Sequence, residues 1–352
     1  MFKKIIFIFI LIISIKMPVY GNDTIVHSTG DTIHPVEDTD IQMKQENLYI
    51  SYNEKEDYWD VEVDFIFFNP KEEELKEEIA FVNRAIPYKE HEHRIIDFRT
   101  KVNGKEINFK RREEERKSFF PNAITEYFIS SLTFPPGHTK VRHTFSYEGT
   151  SGQGRFGFYE GFYYTLTTAQ NWAGNIDFFS LEVDLPEDSL IWLPSSESSI
   201  TGFEPTNLYL EPYGKYKKTI DEHGEWDRDG MLYVKQGGLF LTETDYVPEE
   251  DLILENYYSP YRASTIKVVD NISLYRLLYR ELDESDIVDL SKEKLRLLRN
   301  YIFAWYDYKF EDEELLEYFQ QYLWYYPEDN PETELTETQQ KNVELLLKLE
   351  EE

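Results

Sequence analysis

The stretch WDVEVDFIF at residues 59–67 decides the fold, because apolar and acidic side chains alternate along most of its length. A period of two is typical of a strand that buries one face and leaves the other in water. The same alternation returns in three further runs, at residues 141–147, 179–185 and 231–235. These runs predict half-buried strands.

Turn-forming dipeptides such as Asn103-Gly104 and Asp229-Gly230 separate the alternating runs and favour hairpins. Many short strands with turns between them are typical of a β-sandwich, which we predict from residue 41 to about residue 246. The segment at residues 71–78 follows a proline and is rich in charged residues. The sequence is compatible there with either a short helix or a loop.

The apolar period changes to that of a helix after about residue 270. Leucines recur at helical spacing over residues 274–282, Ser291 is a plausible helix cap, and Asp312–Gln320 predicts a third helix. Thr336 and Gln339 have the spacing of a capping box for a fourth helix. The predicted fold class is α+β multidomain, with an N-terminal all-β sandwich followed by a small C-terminal α-helical domain.

Changes of period and composition predict the following organisation of the chain. The segments are a signal peptide at 1–21, an extended segment at 22–40, the β-sandwich domain at 41–256, a linker at 257–269 and the helical domain at 270–352.

The composition excludes several classes of function. The chain of 352 residues carries 37 Lys and Arg against 68 Asp and Glu, a net charge of −31, which repels the phosphates of nucleic acids. It has no cysteine, so disulfides, thiolate catalysis and cysteine-built zinc sites are absent. Because 41% of the residues are hydrophobic, the chain is not a disordered acidic tail.

The N-terminus has the features of an export signal. Lys3 and Lys4 precede an apolar run at residues 5–15, and the small Gly21 stands at a plausible cleavage edge. A retained membrane anchor is the alternative, but eleven residues are too few to span a bilayer, which needs about 20. We therefore expect a protein exported by a bacterium, periplasmic or secreted to the cell surface, without a transmembrane span once the signal is removed.

Residues 297–327 resemble the YARHG domain, a predicted extracellular bacterial module. The resemblance rests on LRNYIFA at 298–304, YKF at 308–310, the Leu315 and Tyr318-Phe319 spacing, and WYYP at 324–327. The eponymous segment reads FAWYD at 303–307, which keeps only the alanine and an aromatic at the first position. The resemblance implies association with the cell surface or cell wall.

The β region is similar to an uncharacterised family of exported bacterial β-domains. The similarity rests on MKQENLYIS at 43–51 and YTLTTAQNWAGNI at 164–176, where Ala169 and Asn175 depart from the glycine and proline of that family. This resemblance implies a fold and a location, and no activity.

Several motifs resemble cofactor or metal sites, but a structural role explains each of them better. GQGRFG at 152–157 matches the dinucleotide fingerprint as a string, but no helix pattern follows, so a hairpin loop is the better interpretation. His91 and His93 lack a third metal ligand, and Asp227 and Asp229 lack a complete calcium loop. We expect no cofactor, no metal and no catalytic residue.

Aromatic residues are the remaining functional signal, because exposed rings stack on sugars and pack on proteins. Trp324 and Phe310 are expected in the helical core, whereas Trp305 and Tyr306 replace polar residues of the family and are candidate contacts for a partner, together with Asp307 and Trp172. The predicted function is that of a non-catalytic envelope or cell-surface protein. Its YARHG-like module would bind an envelope protein or cell-wall glycan.

The alternative function is an envelope hydrolase that cleaves glycan or peptide with a pair of acidic residues in a cleft of the β-domain. Acids are so abundant that the sequence does not select one pair, since the mechanism depends on their spatial separation.

Overall fold

The protein is represented by a computed structural model that describes residues 24–29, 32–35, 39–53, 55–56, 58–85, 94–115, 124–154, 157–192, 208–219, 231–257, 266–269, 272–329, 331 and 334–352. The predicted signal peptide lies outside these residues. The strands β1 to β19 are Thr24–Thr29, Thr32–Pro35, Gln42–Asn53, Tyr58–Asn69, Leu75–Ala85, Ile95–Val102, Lys105–Ile107, Lys110–Glu115, Ile124–Phe134, Gly137–Tyr147, Thr150–Gly154, Gly157–Tyr164, Ile176–Asp184, Ser189–Trp192, Glu211–Lys218, Met231–Tyr246, Leu252–Asn256, Lys267–Val269 and Ile272–Ser273. The helices α1 to α5 are Leu274–Tyr279, Glu284–Ile287, Lys292–Trp305, Glu313–Gln320 and Glu337–Glu351.

A twelve-stranded sheet forms the larger layer of the β-domain. Its order is β11-β12-β17-β14-β16-β13-β3-β4-β10-β6-β7, and β15 pairs with β16 beside this path. The alternating run at residues 59–67 is the central strand β4, with every second side chain buried. The three other predicted runs lie in β10, β13 and β16, so the strand predictions are confirmed.

A five-stranded sheet, ordered β2-β1-β5-β9-β8, covers the inner face of the larger one. Aromatic rings from the two sheets meet in a common core. Phe98 lies 4.5 Å from Phe128 and Phe81 lies 5.1 Å from Phe145, measured between ring centroids. Two sheets packed face to face through alternating inward side chains confirm the predicted sandwich.

The region before the sandwich contains structure that the sequence did not specify. Residues 24–29 and 32–35, within the predicted extended segment, form β1 and β2 and extend the smaller sheet through β5. The helix considered for residues 71–78 is wrong, because β5 begins at Leu75. The buried Asn69 holds the turn before it by donating to the backbone oxygens of Glu73 and Phe134, at 2.9 and 2.8 Å.

Three of the C-terminal helices begin at or next to the residues that the sequence predicted. Ser291, Asp312 and Thr336 each accept a hydrogen bond from the backbone N–H three residues later. Thr336 forms the full capping box with Gln339, whose side chain accepts from the Thr336 N–H at 3.0 Å. These helices surround a second core that contains Phe310 and Trp324, as predicted. None of the described helices is long and apolar enough to cross a membrane.

Asn342 on α5 connects the last helix to the end of the first. Its side chain is 1% exposed, accepts from the Leu282 N–H at 2.8 Å, and donates to the backbone oxygens of Leu277 and Arg280 at 2.9 and 2.8 Å. The carbonyl groups at the end of a helix lack partners within the helix, so this amide satisfies groups that would otherwise be buried unpaired.

We predict that Asn342→Ala lowers the free energy of unfolding by about 3 kcal/mol, because two buried backbone groups and one partly buried backbone group lose the hydrogen bonds of the Asn342 side chain. Urea denaturation followed by circular dichroism measures the change. Glu344→Ala, at an exposed position of the same helix, is the control and should stay within about 0.5 kcal/mol of the wild type. Equal stability of the two variants would contradict this role of Asn342.

Candidate functional site

The two cores meet at strand β16. Its Tyr233 is 1% exposed and belongs to the core of the helical domain, although it lies within the chain segment of the sandwich. Leu190 on the neighbouring β14 packs against the same core. The helical domain is therefore seated on the sheet by apolar side chains that the sheet itself contributes.

Two lysines of the edge strand β15 also contact the helical domain. Lys217 donates to the backbone oxygen of Tyr325, and its ammonium group lies 5.8 Å from the centre of that ring. Burial lowers the pKa of Lys217. Lys215 pairs with Glu328 at 3.1 Å. These contacts hold β15 against the segment that follows α4.

Asp307, a predicted partner contact, lies inside this junction. It is 3% exposed, pairs with Lys235 of β16 at 2.7 Å, and accepts from the Tyr326 N–H at 2.6 Å. It occupies the position of the glycine in the eponymous YARHG segment, and its φ of 58° is the left-handed conformation that glycine and aspartate adopt most readily. Asp307 connects the two domains and offers almost no surface to a partner.

The charges of this pair perturb each other. Burial raises the pKa of Asp307 and outweighs the hydrogen bonds from Lys235 and Tyr326 that act in the opposite direction. Burial also opposes the charge of Lys235, but the hydrogen bond from Lys235 to Asp307 and the negative charge of Asp188 outweigh it and raise the pKa of Lys235. Lys235 and the Tyr326 N–H favour the charged form of Asp307, and Asp307 and Asp188 favour the charged form of Lys235.

The other predicted contact residues differ in their accessibility. Trp172 is 4% exposed and lies 4.4 Å from the Phe67 ring in the sandwich core, so it presents almost no ring to a partner. Trp305 is half-buried against Trp324, with 5.6 Å between ring centroids. Tyr306 is half-buried and donates from its hydroxyl to Gln339 at 2.8 Å. The four candidates do not form one common surface.

A groove that the sequence analysis did not identify lies on the solvent face of the large sheet. We call it the aromatic groove; it has a volume of about 400 Å³. Tyr49 on β3 and Phe240 on β16 are 39% and 41% exposed there. Its lining residues are Asn47, Leu48, Tyr49, Ser180, Leu181, Glu182, Tyr213, Phe240 and Thr242.

Asp184 holds two tyrosines of the aromatic groove in place. Tyr49 and Tyr213 each donate a hydroxyl to this carboxylate, one to each oxygen. Tyr213 reaches it from β15 across Gly238, where a Cβ atom would come within 1.9 Å of the Val183 oxygen and 3.0 Å of the Tyr213 hydroxyl. Glycine at position 238 is therefore a condition for this arrangement.

The carboxylate keeps both phenols protonated. The hydrogen bond to Asp184, with burial and the negative charges of Asp184 and Glu182, raises the pKa of Tyr49 to about 12. Burial and the hydrogen bond to Asp184 raise the pKa of Tyr213 as well. Among the described residues that line the groove there is no lysine or arginine, so its charge is negative.

The structure describes only some of the residues considered for cofactor and metal binding. Residues 152–154 end β11 and Gly157 begins β12, where Gly154 pairs with Gly157. His91, His93, Asp227 and Asp229 lie outside the described residues. Within the described part of the chain, no cluster of three or more potential metal ligands occurs.

The pair of acids required by the hydrolase alternative is not evident in the described residues. The carboxyls with a raised pKa are Glu255, where burial outweighs the hydrogen bond from Tyr257, and Asp307. Neither group is among those that perturb the other, and neither lines the aromatic groove.

Comparisons with known families agree with both resemblances. Residues 270–351 match the YARHG domain, and residues 21–118 match a domain of unknown function, DUF4424. The chain thus carries a domain found in extracellular proteins after a β-domain of unknown role. No curated protein matches the chain.

Solved structures show a similar fold. A crystal structure from Legionella pneumophila, of a protein provisionally described as nutrient-binding, is 21% identical with a TM-score of 0.56, and the match covers 94% of this chain and 98% of that one. At this identity the likeness shows the fold alone. An M1 zinc metallopeptidase from Deinococcus radiodurans is 10% identical with a TM-score of 0.30, covering 63% of this chain and 43% of that one, and supports no argument.

We predict that Lys235→Met lowers the free energy of unfolding by about 3 kcal/mol at neutral pH, because it leaves Asp307 buried without its partner. Without Lys235 the pKa of Asp307 should rise further above its unfolded value. Protonation then relieves the loss at low pH, so the loss should grow between about pH 5 and about pH 8. Urea denaturation at both pH values measures it.

Lys105→Met, at an exposed position of β7, is the control for this experiment and should change stability little. A loss in Lys235→Met that is the same at both pH values would show that Asp307 does not remain charged in the junction.

We predict that Asp184→Asn allows Tyr49 and Tyr213 to ionise at lower pH, because it removes the negative acceptor that raises their pKa values. A difference titration of phenolate absorbance against the wild type should show additional ionisation between about pH 10 and pH 12. Adding Tyr49→Phe to the variant should remove part of this difference. Circular dichroism restricts the comparison to the pH range in which both proteins are folded.

Proposed function

We propose that the protein is an exported, non-catalytic binding protein of the bacterial envelope, which binds a partner protein in the aromatic groove. The single observation that carries this proposal is the fixed pair of tyrosines, Tyr49 and Tyr213, held by Asp184 beside the exposed ring of Phe240. Rings that are fixed before binding lose little conformational entropy when a partner packs on them.

The location rests on the YARHG domain, which belongs to extracellular proteins, and on the N-terminal sequence of the chain. The nutrient-binding description of the Legionella protein is compatible with a binding role on the same fold. A protein partner is preferred to anionic wall polymers because the net charge of −31 opposes their approach.

The helical domain contributes to binding through strand β15. Lys215 and Lys217 hold this strand against the helical domain, and Tyr213 precedes them on it. We infer that the YARHG domain supports one wall of the aromatic groove by fixing β15. Deleting the helical domain would uncover Tyr233 as well, so point substitutions in the groove test binding more directly.

The test is retention of the chain without residues 1–21 on isolated bacterial envelopes at moderate salt. We predict saturable retention that falls at least about tenfold in Tyr49→Ala/Phe240→Ala, because about 1.4 kcal/mol of lost contact is a tenfold change. Phe178→Ala is the matched control, since Phe178 is also 39% exposed on the same sheet but outside the groove. It should bind as the wild type does.

Three outcomes would contradict the proposal. Retention that is equal in the double variant and the wild type would exclude the groove as the binding surface. Retention that survives protease treatment of the envelopes but not digestion of their glycan would identify a glycan ligand. Release of soluble wall fragments by the protein would favour the hydrolase alternative.

A further inference from the structure

We propose that the aromatic groove binds an extended basic segment of the partner protein, with a lysine or arginine side chain seated at Glu182 between Tyr49 and Phe240. This inference rests on the proposed function and names the chemistry of its ligand. It follows from the order of side chains across the sheet.

Acids and rings alternate along one row that crosses five strands. Glu182 on β13 stands opposite Tyr49 on β3 and opposite Phe240 on β16. The row continues to Glu62 on β4 beyond Tyr49, and to Glu211 on β15 beyond Phe240. The order is therefore acid, ring, acid, ring, acid, and all five side chains belong to the solvent face.

The spacing of this row suits an extended peptide. Neighbouring strands lie about 4.8 Å apart, so the row is about 19 Å long. An extended chain covers this distance with about six residues at about 3.3 Å per residue. The acids of the row lie about 9.6 Å apart, whereas side chains on one side of an extended chain lie about 6.6 Å apart. The long, flexible side chains of lysine and arginine can cover this difference and reach successive acids.

Glu182 is the most suitable seat for a cation in the row. Its side chain is exposed and its strand lies between those of the two rings. An ammonium or guanidinium group there would meet a carboxylate and the faces of aromatic rings together. Glu62, at one end of the row, already pairs with Arg142 at 3.2 Å.

The hydrogen bonds of Asp184 favour a cation rather than an anion. Both tyrosine hydroxyls donate to Asp184, so they are directed toward an acid and are not available to an anionic ligand. Glu182 also accepts from the Tyr213 hydroxyl at 3.3 Å. The next row offers the neutral side chains of Asn47, Ser180 and Thr242, which suit the backbone of a bound peptide.

An open groove favours a segment over a free amine. The groove lies on the face of a sheet, where a single small cation would keep most of its hydration and gain little from the rings. A peptide makes several contacts after one loss of translational freedom, so its affinity accumulates along the row. We therefore commit to a basic peptide segment.

The experiment uses a fluorescein-labelled octapeptide of alternating lysine and serine, with blocked termini, titrated with the chain lacking residues 1–21. Fluorescence anisotropy measures the dissociation constant at about 0.05 M and about 0.3 M salt. We expect Glu182→Gln and Phe240→Leu each to weaken binding at least about tenfold at low salt. Glu344→Gln, which removes one exposed acid from α5, is the matched control and should leave binding unchanged.

Two further probes test whether the positive charge is required and whether the ligand is a peptide or a free amine. The same peptide with norleucine in place of lysine should bind at least about tenfold more weakly, because it keeps the apolar stem and loses the charge. Free lysine should not displace the labelled peptide at concentrations near the dissociation constant of the peptide.

Several results would overturn the inference. Equal binding by Glu182→Gln and the wild type would show that only the general acidity of the protein attracts the peptide. Equal binding of the norleucine peptide would exclude a cation seat, and displacement by free lysine would indicate a small amine as the ligand. If no basic peptide binds but groove variants still lose envelope retention, the proposed function stands and its ligand is not basic.

Discussion

The ion pair between the half-buried Lys235 and the buried Asp307 is the polar contact that orients the helical domain on the apolar side chains of the sheet. Two charges placed in a junction lose hydration, and only a close, hydrogen-bonded geometry restores that free energy. The pair therefore favours one docking position of the helical domain on β16, the strand that also pairs with β13, β14 and β15. The docked helical domain also contacts β15, the strand that carries Tyr213 and forms one wall of the aromatic groove.

The aromatic groove forms because side chains alternate between the two faces of a β-strand. Side chains on a strand alternate between faces, so the pattern that buries Leu48, Val183 and Leu241 places Tyr49, Glu182 and Phe240 in water. The register then aligns residues from distant parts of the chain in one row. A Cβ atom at position 238 would clash with the Val183 oxygen and touch the Tyr213 hydroxyl, so the absence of a side chain there is a condition for the groove, as the rings are.

The structure shows where part of the negative charge of the chain is placed. A net charge of −31 excludes polyanions as partners but selects no ligand. In the groove, acids alternate with rings, and this arrangement distinguishes a cation from a neutral or anionic group. In the binding mode that we propose, the general field attracts basic partners and the row of acids and rings selects where they bind.

The sequence by itself determined the main alternating strands and the C-terminal helices, and that the strands come before the helices along the chain. The alternation at residues 59–67, the helix caps at Ser291 and Thr336 and the two family resemblances depend on local spacing, which a single chain segment contains. Only the tertiary structure decided the role of the candidate residues. Asp307 became a junction residue and Trp172 a core residue because their burial depends on elements far away in sequence. The groove combines strands separated by more than 100 residues, and no pattern within one segment encodes which side chains strand pairing will bring together.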